Sequence, residues 1–152
     1  MAYYNDRLKT GTQRIVNLTA STLTVSATQH NEKIVTINRA AGTTITLPAA
    51  SGTGAKYTFI VGTTLTANGV IQVANASDVM TGNAYTTTTS STNAEAFATS
   101  ATSDTVTLNG TTTGGIKGDK MEIIDIAANL WHAVLFTSST GTEATPFSAA
   151  VA

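Results

Sequence analysis

Between Ile34 and Val61 the chain reads IVTINRAAGTTITLPAASGTGAKYTFIV, three short β-patterned runs parted by small-residue turns. Ile45 and Leu47 alternate with Thr44 and Thr46, and Tyr57, Phe59 and Val61 alternate with Thr58 and Ile60. A period of two is that of a pleated strand with one face buried and the other wet or loosely packed. The stretch therefore predicts stacked antiparallel strands, and nothing catalytic sits in it.

The rest of the composition agrees with sheet. Threonine supplies 32 of the 152 residues. It is β-branched, stiff at χ1 and able to hydrogen-bond, which suits the half-exposed face of a sheet better than a helix. Charged residues make up 11%, against roughly 25% in ordinary soluble domains, so the surface is neutral and rich in hydroxyls. A net charge of −1 offers no electrostatic footprint for nucleic acid or an anionic membrane. With no cysteine there is no disulfide, thiolate metal site or cysteine nucleophile. A small β domain without such staples gains stability elsewhere, and burying a weakly charged surface between subunits is the expected route.

The length suits one domain, 15–152, preceded by a polar arm, 1–14. The first residues, MAYYNDRLKTGTQ, lack the apolar run of a secretory leader, and no apolar run is long enough to span a membrane. Synthesis in the cytoplasm is the expectation. Asn17-Leu18-Thr19, Asn75-Ala76-Ser77 and Asn109-Gly110-Thr111 match the glycosylation tripeptide, by chance in so threonine-rich a chain.

Strands are expected near 14–18, 22–27, 33–38, 43–47, 56–61, 70–74, 104–108, 120–127 and 130–137, at the short spacing of a sandwich or barrel. Glycine-containing turns separate them, Ala128-Asn129 reads as a two-residue hairpin turn, and Pro48 ends its strand by removing a ladder donor. The segment 81–103, TGNAYTTTTSSTNAEAFATSATS, carries the weakest pattern: a mobile loop, a wet edge strand over 85–90 or a helical turn over 93–99 all fit it. No solenoid-length repeat emerges. The expected core is Leu23, Val25, Ile34, Ile37, Ile45, Leu47, Tyr57, Phe59, Val61, Val70, Val106, Leu108, Met121, Ile123, Trp131, Val134 and Phe136. In 121–126 Met121 and Ile123 point one way while Ile124 and Ile126 point the other, the mark of a central or interface strand.

Chemical motifs fail on spacing. Ser51-Gly52-Thr53-Gly54-Ala55-Lys56 suggests an anion cradle, but it precedes a strand instead of opening a helix and reads as a hairpin turn. The run from Gly110 to Lys117 misses the P-loop because Ile116 separates glycine from lysine, and it reads as a flexible loop. Asp119, Glu122 and Asp125 are the dense acidic group, oxygen ligands of the Ca²⁺ type, yet on a strand Glu122 points away from the other two. His30 and His132 are far apart and read as hydrogen-bonding turn or strand residues rather than bases. Trp131, the single tryptophan, reads as a core or subunit-interface residue. No catalytic, cofactor or metal site is assigned, and the chain is not expected to be an enzyme.

The runs INRAAGTTITLPAA from Ile37, YTFIVGT from Tyr57, VIQVAN from Val70, GGIKGD from Gly114 and GTEATPFS from Gly141 resemble small structural proteins of tailed-bacteriophage virions, of the capsid decoration or cement type. The resemblance covers most of the chain from about Val16 onward and is one of phrase, not of catalytic motif. It implies a location on the outer capsid surface, the major capsid protein as partner, and a homotrimer at local three-fold positions. Such a protein stabilises the assembled shell by adding binding free energy only to the closed state.

The expectation is thus an all-β antiparallel sandwich or jelly-roll-like barrel with an extended N-terminal arm, acting without cofactor, nucleic acid or membrane. Tyr3, Tyr4, Arg7, Lys9 and Arg14, an aromatic and cationic cluster in an otherwise neutral chain, are the expected capsid-docking residues. Ile124, Ile126 and Trp131 are the expected subunit interface. The alternative is a tail or fibre β module that binds a host-surface glycan. Glycan sites offer exposed aromatics beside carboxylates or amides, a combination the strand patterns do not place.

Overall fold

A computed structural model describes residues 14–89 and 92–152. Two mixed sheets pack face to face as an all-β sandwich. The strands are β1 (Ile15–Leu18), β2 (Thr22–Thr24), β3 (Ile34–Ile37), β4 (Thr43–Thr46), β5 (Lys56–Val61), β6 (Gly69–Gln72), β7 (Val79–Thr88), β8 (Ala94–Ala98), β9 (Thr105–Leu108), β10 (Lys120–Ala127), β11 (Leu130–Ser139) and β12 (Phe147–Ser148). One short helix, α1 (Ala27–His30), separates β2 from β3. The larger sheet runs β1-β3-β5-β10-β11-β7-β8 and the smaller β12-β9-β6-β4-β2.

The expected antiparallel stacking over 34–61 is corrected. β3 and β5 lie in the large sheet and pair parallel, Ile34 with Thr58 and Ile37 with Val61, while β4 between them lies in the small sheet. β1 pairs parallel with β3, and β2, β4 and β6 pair parallel in the other layer. The first six strands therefore wind as three turns of a flattened coil, each turn placing one strand in each sheet. Alternation reports which way side chains point, not which way a neighbouring strand runs, so periodicity alone left the direction open. Parallel neighbours need a crossover connection; here the crossover is itself a strand of the opposite layer. The turns escape detection as a repeat because they are unequal: Ile15 stands beside Ile34, but Ile34 stands beside Thr58. The jelly-roll arrangement is likewise replaced by this coil, completed by antiparallel pairs β5–β10, β10–β11, β7–β8, β6–β9 and β9–β12 and a parallel pair β7–β11.

The core is one cluster drawn from both layers, with Ile37, Tyr57, Phe59, Met80, Met121, Ile123, Trp131 and Leu135 from the large sheet and Ile45, Ile71 and Leu108 from the small one fully buried. Fully burying such a side chain contributes roughly 1.5–3 kcal/mol. Three assignments of facing are reversed. Val35 rather than Ile34, Ile71 and Val73 rather than Val70, and Ala133 and Leu135 rather than Val134 and Phe136 point inward. These strands carry apolar residues on both faces, which removes the period-two signal.

In the segment 81–103 residues 85–88 are strand, as one of the expectations had it, but inside the sheet rather than at its edge. β7 runs ten residues between β11 and β8, and 94–98 is the edge strand β8 rather than a helical turn. Gly82 within β7 has φ +144°, and a Cβ there would run into the Ala133 carbonyl of β11, so the close backbone approach requires glycine. The Ala128-Asn129 turn is as expected, joining Ala127 to Leu130 with Asn129 at φ +60°.

Candidate interaction face

Polar groups that suggested chemistry are spent on holding loops. The Asp125 carboxylate accepts the Ser51 amide (3.0 Å), the Gly52 amide (2.7 Å), the Thr53 amide (3.0 Å) and the Thr53 hydroxyl (2.7 Å). The Ser51–Gly54 loop, expected as a hairpin turn, instead crosses from β4 to β5 and is an anion nest whose anion belongs to β10 of the same chain. Burial raises the Asp125 pKa, but the Thr53, Gly52 and Ser51 donors outweigh it and hold the carboxyl below its ordinary value.

Asp119, just ahead of β10, accepts the Gly115 (2.8 Å) and Ile116 (3.1 Å) amides. Here burial dominates and raises the pKa, offset only in part by donors from Ile116, Gly115 and Ser138. The loop from Gly110 to Lys117, expected to be flexible, is pinned from both ends: Asn109 Oδ1 accepts the Thr111, Thr112 and Thr113 amides. Asp104 accepts the Ala150 amide (2.8 Å) and the Thr105 hydroxyl (2.7 Å), and Asp78 accepts the Ala50 amide (2.9 Å). All four aspartates are buried. Glu122 stands on the opposite face of β10, as the strand geometry requires, and forms an ion pair with Lys120 at 3.8 Å.

His30 is buried at the end of α1, where its Nδ1 accepts the Ser26 amide at 3.1 Å. His132 lies on β11 beside Ile124 of β10.

Trp131 is corrected as an interface residue. Its side chain is 0% exposed and packs on Tyr57 with ring centroids 5.9 Å apart, because it alternates inward with Ala133 and Leu135. Burial raises the Tyr57 phenol pKa, and the nearby Asp125 charge adds to the shift. Ile124 and Ile126 do point away from the core, half-buried and 46% exposed respectively. Of the expected docking residues, Arg14 is exposed and its carbonyl accepts the Ile34 amide at 2.8 Å. Tyr3, Tyr4, Arg7 and Lys9 lie outside the described residues.

The two outer faces of the sandwich differ. That of the small sheet carries Thr22, Thr24, Thr44, Thr46, Val70, Gln72 and Thr107. That of the large sheet carries the apolar side chains left outside. Register places Phe136 between Lys120 of β10 and Tyr85 of β7, Val134 between Glu122 and Asn83, and His132 between Ile124 and Thr81. Ile60 and Ile34 continue the surface toward β1, where Ile15 is 49% exposed. Phe136 at 57% and Tyr85 at 44% exposure stack with centroids 5.7 Å apart and planes 20° from parallel. Ala96 and Ala98 on β8 flank them, so small neighbours leave the aromatic pair proud of the sheet. Sequence reasoning placed Phe136 inside and Tyr85 in an unpatterned segment. The signal that would have found them is strict alternation outward from Trp131.

Among the described residues no helix is long and apolar enough to cross a membrane. Comparison of the chain with protein-family models, with curated proteins and with solved structures returns no match.

Proposed function

We propose that this chain is a non-enzymatic structural protein of a tailed-phage virion, seated on the outer capsid surface and stabilising the shell by binding where shell subunits meet. The observation that carries this reading is the collection of exposed large apolar side chains on one outer face, while the buried carboxylates are engaged by the chain's own amides. A protein so built acts through surface area rather than through a reaction. The resemblance of its sequence phrases to decoration proteins supplies the virion context, the major capsid protein is the partner on this reading, and a homotrimer matches a local three-fold site. The cluster Tyr3, Tyr4, Arg7, Lys9 and Arg14 supplies docking contacts on this reading.

The stacked Tyr85–Phe136 pair favours a second reading. With exposed Asn83 on the same strand face as Tyr85, it has the aromatic-plus-amide make-up of a glycan platform, as a tail or fibre module requires. Labelling the protein on purified particles and imaging them by negative stain separates the two. Label over the head is expected; label confined to the tail assigns the glycan reading, and unlabelled particles remove both.

A further inference from the structure

We propose that the cavity where β7 and β11 begin binds one ring of a neutral sugar. The proposal rests on the glycan reading for its class of ligand and places that ligand away from the aromatic pair. Thr81 on the cavity wall stands four residues, about 13 Å, along β7 from Tyr85, so the site uses neither Tyr85 nor Phe136.

The cavity follows from the unequal reach of neighbouring strands. β8 ends at Ala98 opposite Asn83, while β7 extends back to Val79 beside Leu130. The chain leaves β8 through 99–103 and stays tied to β7, the Thr99 amide donating to the Gly82 carbonyl at 3.1 Å and the Met80 amide to the Ser103 carbonyl at 2.6 Å. A cavity of about 310 Å³ remains between this turn, β7 and β11. The turn is braced from within: the Ser103 hydroxyl accepts the Ser100 amide at 3.0 Å and lies 3.1 Å from the Ser100 hydroxyl. A wall already ordered lowers the entropic cost of binding.

The lining selects the ligand. Val79, Met80 and Leu130 supply aliphatic surface, and Thr81, Thr99 and Ser100 supply hydroxyls. Thr99 Oγ1 accepts the Gly82 amide at 3.1 Å, which leaves its own proton to donate. The Thr81 hydroxyl and the amide of Asn83, next but one on the same face of β7, have no partner among the described residues. A pyranose ring carries a C–H face and a rim of hydroxyls that donate and accept, so it meets the aliphatic and the hydroxyl lining together. A wholly apolar occupant would leave the Thr81 and Thr99 protons without an acceptor. Among the described residues no charged side chain lines the cavity, so a phosphate, a carboxylate or a metal ion finds no counter-charge there. By register His132 lies one strand over from Thr81, a hydrogen-bonding group for a hydroxyl, and Lys56 lies in the same row three strand spacings, about 14 Å, away. The volume is at the small end of ligand sites, which suits a single ring.

The test is saturation-transfer NMR on the full chain, with the methyl glycosides of glucose, galactose and N-acetylglucosamine as probes and N-acetyl-leucinamide as the apolar rival. At least one glycoside should receive saturation at its ring C–H protons, with a Kd of about 1 mM. Ala101→Trp, which fills the cavity from its wall, should raise that Kd about tenfold, and Thr81→Val, which removes the hydroxyl at nearly constant volume, about fivefold. Thr22→Val on the outer face of the small sheet should leave it unchanged. Because Ala101, Thr81 and Thr22 are exposed, circular dichroism and melting should match the wild type and certify folding. Transfer to none of the glycosides overturns the proposal, as does a preference for N-acetyl-leucinamide. Binding that Phe136→Ala abolishes and Ala101→Trp leaves intact puts the sugar on the aromatic pair, which overturns the cavity site and leaves the glycan reading standing. Label confined to the tail of particles, with no glycoside bound, separates the two in the same way.

Discussion

Replacing Asp125 by alanine removes the acceptor that holds Ser51, Gly52 and Thr53 in place. Three amides and one hydroxyl then lose their partner. Each hydrogen bond to a charged group is worth about 1.5–3 kcal/mol. The loop residues are exposed while Asp125 is 2% exposed, so water takes over part of the loss on the loop side. The net cost should be about 2–4 kcal/mol, which lowers Tm by roughly 5–15 °C in a domain of this size. Asp125→Asn keeps one acceptor oxygen and turns an NH₂ toward the amides, for about 1–3 kcal/mol. The sign with pH follows from the depressed folded pKa. The unfolded chain holds the proton more tightly, so the stability from Asp125 is complete above its ordinary pKa and is lost as pH falls through the folded value. Asp119 has a raised pKa and the opposite sign: its contribution is largest below the ordinary value and is lost as pH rises through the folded one. It is present in both proteins and cancels from the difference. Urea unfolding of wild type and Asp125→Asn from pH 7 down to pH 2 should show a stability gap that narrows with acid. A constant gap, or one below about 0.5 kcal/mol at pH 7, which is the scale of an ordinary surface substitution, would refute the nest.

Three other outcomes follow from the packing and the proposed docking. Leu135→Ala, at a fully buried position, should cost about 2–5 kcal/mol in urea titration, whereas Val134→Ala on the outer face should cost less than half of that; equal costs would contradict the facing of β11. EDTA should leave Tm within a degree, because the Asp119 and Asp125 oxygens already accept amide donors; a fall of many degrees would mean that a cation ties these loops. Deleting 2–13 should leave the β spectrum and Tm unchanged yet weaken binding to undecorated heads by about 2–4 kcal/mol if a tyrosine is a hot spot, and unchanged head binding would remove the arm from the docking surface.

Where strands form was readable both from one apolar face, as over 56–61, which coincides with β5, and from a continuous apolar run bounded by turns, as over 120–127, which coincides with β10. Which residues are inside was lost where both faces are apolar, as at Val134 and Leu135, because only context in the folded sheet distinguishes them. Strand direction was lost for a different reason. It depends on which layer the chain enters after each turn, and nothing in Arg39–Gly42 or Ser51–Gly54 announces a crossing between sheets. The Asp125 nest was half legible: its glycine loop and its carboxylate each stood out, but their meeting depends on the β5–β10 pairing, which joins residues sixty or more positions apart. The interaction face was the least legible, since Tyr85 belongs to a threonine-rich run whose place beside β11 is set by a long-range parallel pairing.

The proposed role, adding binding free energy to an assembled shell, is open to direct measurement on heads purified without the protein. Adding the full chain at increasing concentration while following shell disruption by scanning calorimetry should raise the disruption temperature to a plateau, with saturation at a fixed number of copies per head. A disruption temperature that stays flat through concentrations at which the protein demonstrably coats the heads would contradict a cementing role, and heads that take up no protein at all would contradict capsid binding itself.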